Sequence, residues 1–173
     1  MSPYETNLVE LIGRFAYSPQ RIKILRGLLS YRSDLHAIGI SNGWQLLDGS
    51  FMEDVESLRD RPPADIDLVT FSPIPGEVQA KQQLMQDNLD LFDAARARLR
   101  YGCDGYFVDL DDPVELVADS TRYWFGLFTH QRETLLWKGI LKVPMADDND
   151  GAALTLLNER EHQQGGVRHA QKI

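Results

Sequence analysis

Residues 65–71, Asp-Ile-Asp-Leu-Val-Thr-Phe, constrain the fold more than any other stretch of this chain. They alternate polar and apolar side chains and then become wholly apolar, the pattern of a strand that starts at a surface and enters a core. Positions two apart in a strand share a face, so Asp65 and Asp67 project together while Ile66 and Leu68 pack behind them. Two carboxylates side by side repel unless a cation joins them. Hard oxygen ligands in this arrangement suit Mg²⁺ or Mn²⁺. The competing reading is a solvated strand end after Pro62-Pro63.

The flanking segments surround this strand with helices. Leu8, Leu11, Ile12 and Phe15 lie at i, i+3, i+4 and i+7, one face of a helix. Ser18-Pro19 supplies an N-cap followed by proline at the first helical position, and predicts a second helix to about Tyr31 that buries Ile22, Leu25 and Leu29. Glycines and an asparagine break the chain after His36. A short strand or loop follows, then a strand near Trp44–Leu47 that ends in Gly49-Ser50. Residues 52–63 are charged and read as a connection. Residues 77–100 predict the longest helix, with Met85, Leu89, Phe92 and Leu99 in one stripe and Leu84, Leu91 and Ala95 beside it. Cys103 to Leu110 is the next strand. Asp112-Pro113 caps a further helix, with Glu115 at the reciprocal position and Val114, Val117, Ala118, Thr121, Phe125 and Phe128 as its apolar face. Residues 135–143 predict a last strand, Ala152–Glu161 a short last helix, and 163–173 a polar, unstructured tail. Helices alternating with strands place the chain in a layered α/β class and give one domain over residues 1–162. Within it, 1–33 are N-terminal helices and 36–143 the core.

Composition narrows the function classes. The 173 residues suffice for one domain with a real core. No apolar run is long enough to span a membrane, and the N-terminus has no signal-peptide pattern. Cys103 is the single cysteine, which excludes an intrachain disulfide and a zinc ribbon. These features point to the cytoplasm. With 18 basic and 26 acidic residues the net charge is −8, which disfavours a long nucleic acid as partner. Arg14, Arg21, Lys23, Arg26 and Arg32 cluster early and read as solvated faces of two helices.

Two further features join the Asp65–Asp67 pair. Gly49-Ser50 closes a predicted strand, where glycine permits close backbone approach and exposed N–H groups with the Ser50 hydroxyl suit a phosphate; an ordinary turn is the alternative. Asp104 opens the strand after the long helix, and a neighbouring strand can bring it beside the pair. Three carboxylates on one sheet face can hold two cations roughly 4 Å apart, which activates an attacking oxygen and stabilises a leaving one. Asp109 is the reserve for the third position. Asp111 and Asp112 are explained by capping or solvation.

Gly49-Ser50, a gap, Asp65-Ile-Asp-Leu and a later strand-opening Asp together resemble the DNA-polymerase-β-type nucleotidyltransferase superfamily. Residues 42–51, 123–132 and Trp137-Lys-Gly are similar to a minimal, single-domain, uncharacterised bacterial branch of it. The resemblance spans about residues 36–143. It implies an α/β (α+β) fold with a nucleotidyltransferase-like mixed β-sheet flanked by helices, that Gly49 and Ser50 hold the triphosphate of an NTP such as ATP, that Asp65 and Asp67 bind Mg²⁺, and that Asp104 completes the metal site and helps to deprotonate an acceptor hydroxyl. One departure is the fourteen-residue separation of Ser50 from Asp65, long for the family. It is either a longer loop that leaves Ser50 in place or one that displaces it.

The remaining candidates have plainer explanations. His36, His130, His162 and His169 show no metal-ligand spacing. His130, Arg132 and Lys138 could reach a phosphate, but cations near a helix C-terminus are expected there anyway. Trp124, Phe125 and Phe128 read as core, and Cys103 as a buried filler. The first functional expectation is a metal-dependent enzyme moving NMP from an NTP to a hydroxyl on a protein, an RNA end or a small molecule. The alternative is an antitoxin- or defence-type binding module with this fold and little or no turnover. A structural domain with solvated acids is the third. An open cleft gathering Asp65, Asp67, a third Asp and Ser50 favours the enzyme.

Overall fold

The computed structural model describes residues 2–131, 134–146 and 149–170. Five strands form one mixed sheet: β1 (Tyr4–Glu5), β2 (Trp44–Asp48), β3 (Ile66–Ser72), β4 (Cys103–Asp109) and β5 (Leu141–Pro144), in the order β1-β5-β2-β3-β4. β2 runs antiparallel to both β3 and β5, whereas β3–β4 and β1–β5 are parallel. The helices are α1 (Leu8–Phe15), α2 (Pro19–Ala37), α3 (Val55–Arg59), α4 (Val78–Asp87), α5 (Leu89–Phe92), α6 (Ala94–Tyr101), α7 (Val114–Phe128) and α8 (Asp150–Ala170). The expected mixed sheet flanked by helices is therefore what the chain forms. No described helix is long and apolar enough to cross a membrane.

Alternation along the strands sorts two cores. Leu47, Ile66, Leu68 and Cys103 face α1, α2, α6 and α8, where Leu11, Ile12, Leu25, Leu28, Tyr31 and Leu157 fill the main core. Leu46, Val69, Phe71 and Val108 face the other way and meet Trp124 and Phe128 of α7. By the same parity Asp48, Asp67 and Asp104 lie on the α7 face. The sheet thus carries apolar side chains under α7 and acids at its far end.

Several expectations change. α2 continues past Tyr31 to Ala37. Arg21 and Arg32, expected on solvated faces, are fully buried. Arg32 donates to Gln45 Oε1 at 2.9 Å and to the Pro144 carbonyl at 2.8 Å, while Gln45 donates on to Thr70 at 3.0 Å. A buried guanidinium is tolerable only with such acceptors.

The expected long helix over 77–100 is three helices, broken at Asn88 and Asp93. Both residues hydrogen-bond locally instead of extending a helix: the Asn88 amide donates to the Leu84 carbonyl, and the Asp93 carboxylate accepts the Arg96 N–H. Its expected stripe fails with it, since Leu99 is 90% exposed; Leu91, expected beside the stripe, is buried, together with Ala97 and Tyr101. α6 and α2 approach so closely that a Cβ on Gly27 would overlap the Tyr101 carbonyl.

α7 starts without a side-chain cap and turns Trp124 inward, leaving Val114 exposed. Only Leu141–Pro144 of the last expected strand joins the sheet. Residues 135–140 bend away through Leu135 at positive φ, and the Leu135 N–H returns to the Gln131 carbonyl. α8 extends beyond the expected short helix through Ala170.

Candidate active site

The acids meet through strand register. Asp67 pairs directly with Asp48 across the antiparallel β2–β3 ladder and with Asp104 across the parallel β3–β4 ladder. Neighbouring strands are spaced about 4.8 Å apart, so these three positions form a row across three strands. Asp65 lies just before β3. All four acids, with Gly49 and Ser50, line one cleft of about 370 Å³. Thus every residue singled out for the site, Asp65, Asp67, Asp104, Gly49 and Ser50, reaches the same cavity. Asp109 does not. It sits at the opposite end of β4, salt-bridged to Lys81 at 2.7 Å and accepting the Ile74 N–H. Burial works upward on its carboxyl, but Lys81 and the backbone N–H groups of Asp111 and Ile74 together hold it below the usual range.

Gly49 locks to the second acid. Its φ is +85° and ψ −170°, and an added Cβ would lie 1.8 Å from Asp67 Oδ2. Glycine is thus required both for the backbone turn and for the approach of the carboxylate. The long connection after Ser50 folds tightly: a short 3₁₀ turn over Ser50–Met52, then α3, with Phe51 and Val55 fully buried. Arg21 fixes it from α2. Its guanidinium donates to the carbonyls of Phe51 at 2.6 Å and Glu53 at 2.7 Å, and makes a paired contact with Glu56 at 2.7 and 2.8 Å. Of the two outcomes open for the insertion, Ser50 stays at the cleft.

The cleft also holds cations, of which the sequence had offered only Lys138 as one that could reach a phosphate. Lys138 Nζ is 2.9 Å from Asp48 Oδ2 and 3.7 Å from Glu53. Arg98 of α6 is 2.5 Å from Asp65. Arg59 is 3.4 Å from Glu53, and Arg61 adds a further exposed guanidinium. Asp48 is buried, and burial pushes its pKa up to about 6 against the opposing pull of Lys138. Its other oxygen, Oδ1, is buried without a hydrogen-bond partner.

Tyr106, Trp124 and Phe128 give the cleft an aromatic wall. Tyr106 and Trp124 are 4.7 Å apart, Trp124 and Phe128 5.3 Å, and His130 packs on Trp137 at 4.3 Å. Burial first, and then the hydrogen-bonded Asp104 carboxylate, raise the Tyr106 pKa. Trp124 and Phe128, read as core, are at once core and cleft lining. His130 also lines the cleft, whereas Arg132 lies outside the described residues. Cys103 is buried behind the sheet, and burial drives its thiol pKa well up, in keeping with an inert filler.

The residues missed by sequence reasoning are chiefly Asp48, Tyr106 and the arginines of α3 and α6. Asp48 had a usable signal: it directly precedes Gly49-Ser50 at a strand end. The arginines had none, because their position depends on how the connection folds.

The donor set suits a hard divalent cation. Among the described residues no three carboxylate, imidazole or thiolate groups are gathered closely enough to hold an ion alone. Mg²⁺ does not require that, since it is commonly bound by one or two carboxylates with substrate phosphates and water. The row of acids and the orphaned Asp48 oxygen fit such a shared site.

A protein-family model, a family of unknown function (DUF6932), matches residues 2–144, and the chain belongs to that family. No curated protein and no solved structure matches the chain.

Proposed function

We propose that this chain is a metal-dependent nucleotidyltransferase that moves NMP from an NTP to a hydroxyl acceptor and releases pyrophosphate. One observation carries the reading: strand register puts Asp67 between Asp48 and Asp104 in a cleft that also holds Gly49, Ser50 and Asp65. Asp65 and Asp67 would hold Mg²⁺ or Mn²⁺, which supplies charge neutralisation at the phosphates. Gly49-Ser50 offers a turn that a phosphate can approach. Asp104 takes the acceptor proton as the acceptor oxygen bonds to the α-phosphorus and the bond to the bridging oxygen breaks. Arg98 shields Asp65 until substrate arrives and is displaced from it afterwards. The aromatic wall of Tyr106 and Trp124 receives a planar group of donor or acceptor.

The test is incubation of the protein with each α-labelled NTP and Mg²⁺ or Mn²⁺, with and without cell lysate, beside Asp65→Ala/Asp67→Ala. Label on protein or RNA that disappears in the variant is the expected result, with a loss of at least about 100-fold, the scale on which charge-stabilising groups act. No transfer and no metal-dependent NTP binding would remove the enzyme reading. A second reading, a binding module with little turnover, draws on the exposed Leu135, Leu136 and Trp137 beside the cleft and on the cations already paired with Asp48 and Asp65. It predicts capture of a protein partner that survives the same double substitution.

A further inference from the structure

We propose that the connection between Ser50 and β3 is a polyphosphate clamp, in which Arg59 and Arg61 bind the phosphates beyond the α-position. This rests on the nucleotidyltransferase reading for where a nucleotide lies, but not for its test. The connection is a fixed strap rather than an open loop. Phe51 and Val55 anchor it in the core, and the buried Arg21 holds two of its carbonyls and the Glu56 carboxylate. α3 then ends at Asp60 in a left-handed turn (φ 50°), with Pro62-Pro63 following, which fixes the chain where Arg59 and Arg61 reach the cleft.

Charge argues for an anionic occupant on this side. The cleft contains five acids: Asp48, Glu53, Asp65, Asp67 and Asp104. Four permanent cations, Arg59, Arg61, Arg98 and Lys138, stand among them in a protein with net charge −8. Lys138 and Arg98 hold cleft carboxylates at 2.9 and 2.5 Å. Arg59 has only a 3.4 Å contact to Glu53, which Lys138 and Gln131 also reach, so Glu53 keeps partners when Arg59 turns to a ligand. Arg61 is exposed, and no described carboxylate holds it. Two guanidinium forks in the cleft that Gly49-Ser50 also lines match the geometry of phosphate oxygens, which accept paired N–H donors. The occupant is therefore a triphosphate rather than a monophosphate or an uncharged sugar.

Calorimetry with inorganic tripolyphosphate, inorganic phosphate and AMP, at fixed Mg²⁺, tests this without any turnover. The proteins are wild type, Arg61→Ala, Arg59→Ala/Arg61→Ala, and Arg14→Ala, at an exposed position of α1, as a control that matches the charge of Arg61→Ala. Tripolyphosphate should bind wild type well above phosphate. Affinity should fall roughly 10- to 100-fold in the double variant and less in Arg61→Ala, with AMP unchanged and Arg14→Ala within about twofold. Arg61 is exposed, so its single variant keeps the fold if the double variant does not. Equal affinity of wild type and Arg61→Ala, an equal loss in Arg14→Ala, or no tripolyphosphate binding by wild type overturns the clamp. Loss in the variants without any nucleotide transfer by wild type upholds the clamp and removes the transfer reading. Transfer with unaltered tripolyphosphate binding in the variants does the reverse.

Discussion

Replacing Gly49 by alanine separates the backbone requirement at the cleft from ordinary packing. At φ +85° and ψ −170° the residue occupies a region almost confined to glycine, where a side chain costs on the order of 1–3 kcal/mol. The new Cβ would also stand 1.8 Å from Asp67 Oδ2 and 2.8 Å from its Cγ. That second conflict can be relieved, because a carboxylate can swing about its own bonds. Relief moves Asp67 out of the row it shares with Asp48 and Asp104. Gly49→Ala should therefore lose about 1–3 kcal/mol in urea unfolding at unchanged m-value, a Tm decrease of roughly 2–12 °C for a domain of this size. Metal-dependent nucleotide affinity should fall about tenfold or more. The control is Gly13→Ala in α1, where nothing lies within 4 Å of the new methyl. Alanine is the better helix former there, so the same chemical change should stabilise by about 0.5–1 kcal/mol. A Gly49→Ala protein within about 0.5 kcal/mol of wild type would refute the interlock.

Other outcomes follow from the charges. Arg21→Ala leaves the Phe51 and Glu53 carbonyls without their donor, while the partly exposed Glu56 keeps Tyr17 and Ser18 as partners, and should cost about 1–3 kcal/mol by denaturant unfolding; a loss below about 0.5 kcal/mol would mean that the strap holds itself. The Asp48 carboxyl, raised by burial from 3.8 to about 6, binds a proton in the folded chain that the unfolded chain has already released between those values. Its contribution to stability is therefore present below about pH 4 and lost as pH rises through about 6. Carbon-13 NMR of the Asp48 carboxyl should show a midpoint near 6, moving further up in Lys138→Met; a midpoint below about 4.5 would show the group to be well solvated.

How much of this was legible depended on whether the cause was local. The Asp65–Phe71 alternation gave its strand, and the period-two rule put Asp65 and Asp67 on one face before any partner strand was known. Asp104 followed from its place at the opening of its own strand. Asn7 and Ser18 cap α1 and α2 as short-range chemistry would have it. Asp48 and Lys138 were not legible as a pair. They are ninety positions apart, and the contact exists because Lys138 is held beside the end of α7, its N–H donating to the Thr129 carbonyl. Arg21 and Arg32 misled for a related reason. A charge pattern on a helix reports what water would accept, and the carbonyls that replace water come from Phe51, Glu53, Pro144 and Met145. The break of residues 77–100 needed attention to Asn88 and Asp93, whose side chains compete for backbone groups.

One sheet face does two jobs along its length. Under α7 it is packed solid by Leu46, Val69, Phe71 and Val108; a few residues further along the same strands it turns to carboxylates. Trp124 stands at the change-over, touching Tyr106 on one side and Phe128 on the other. The indole therefore belongs at once to the wall of the cleft and to the core beside it, and its size bears on both. A smaller residue there would enlarge the cavity by removing core, and a variant able to admit a bulkier guest would also be a less stable one. In this fold, selection for a new guest and selection for robustness act on the same ring.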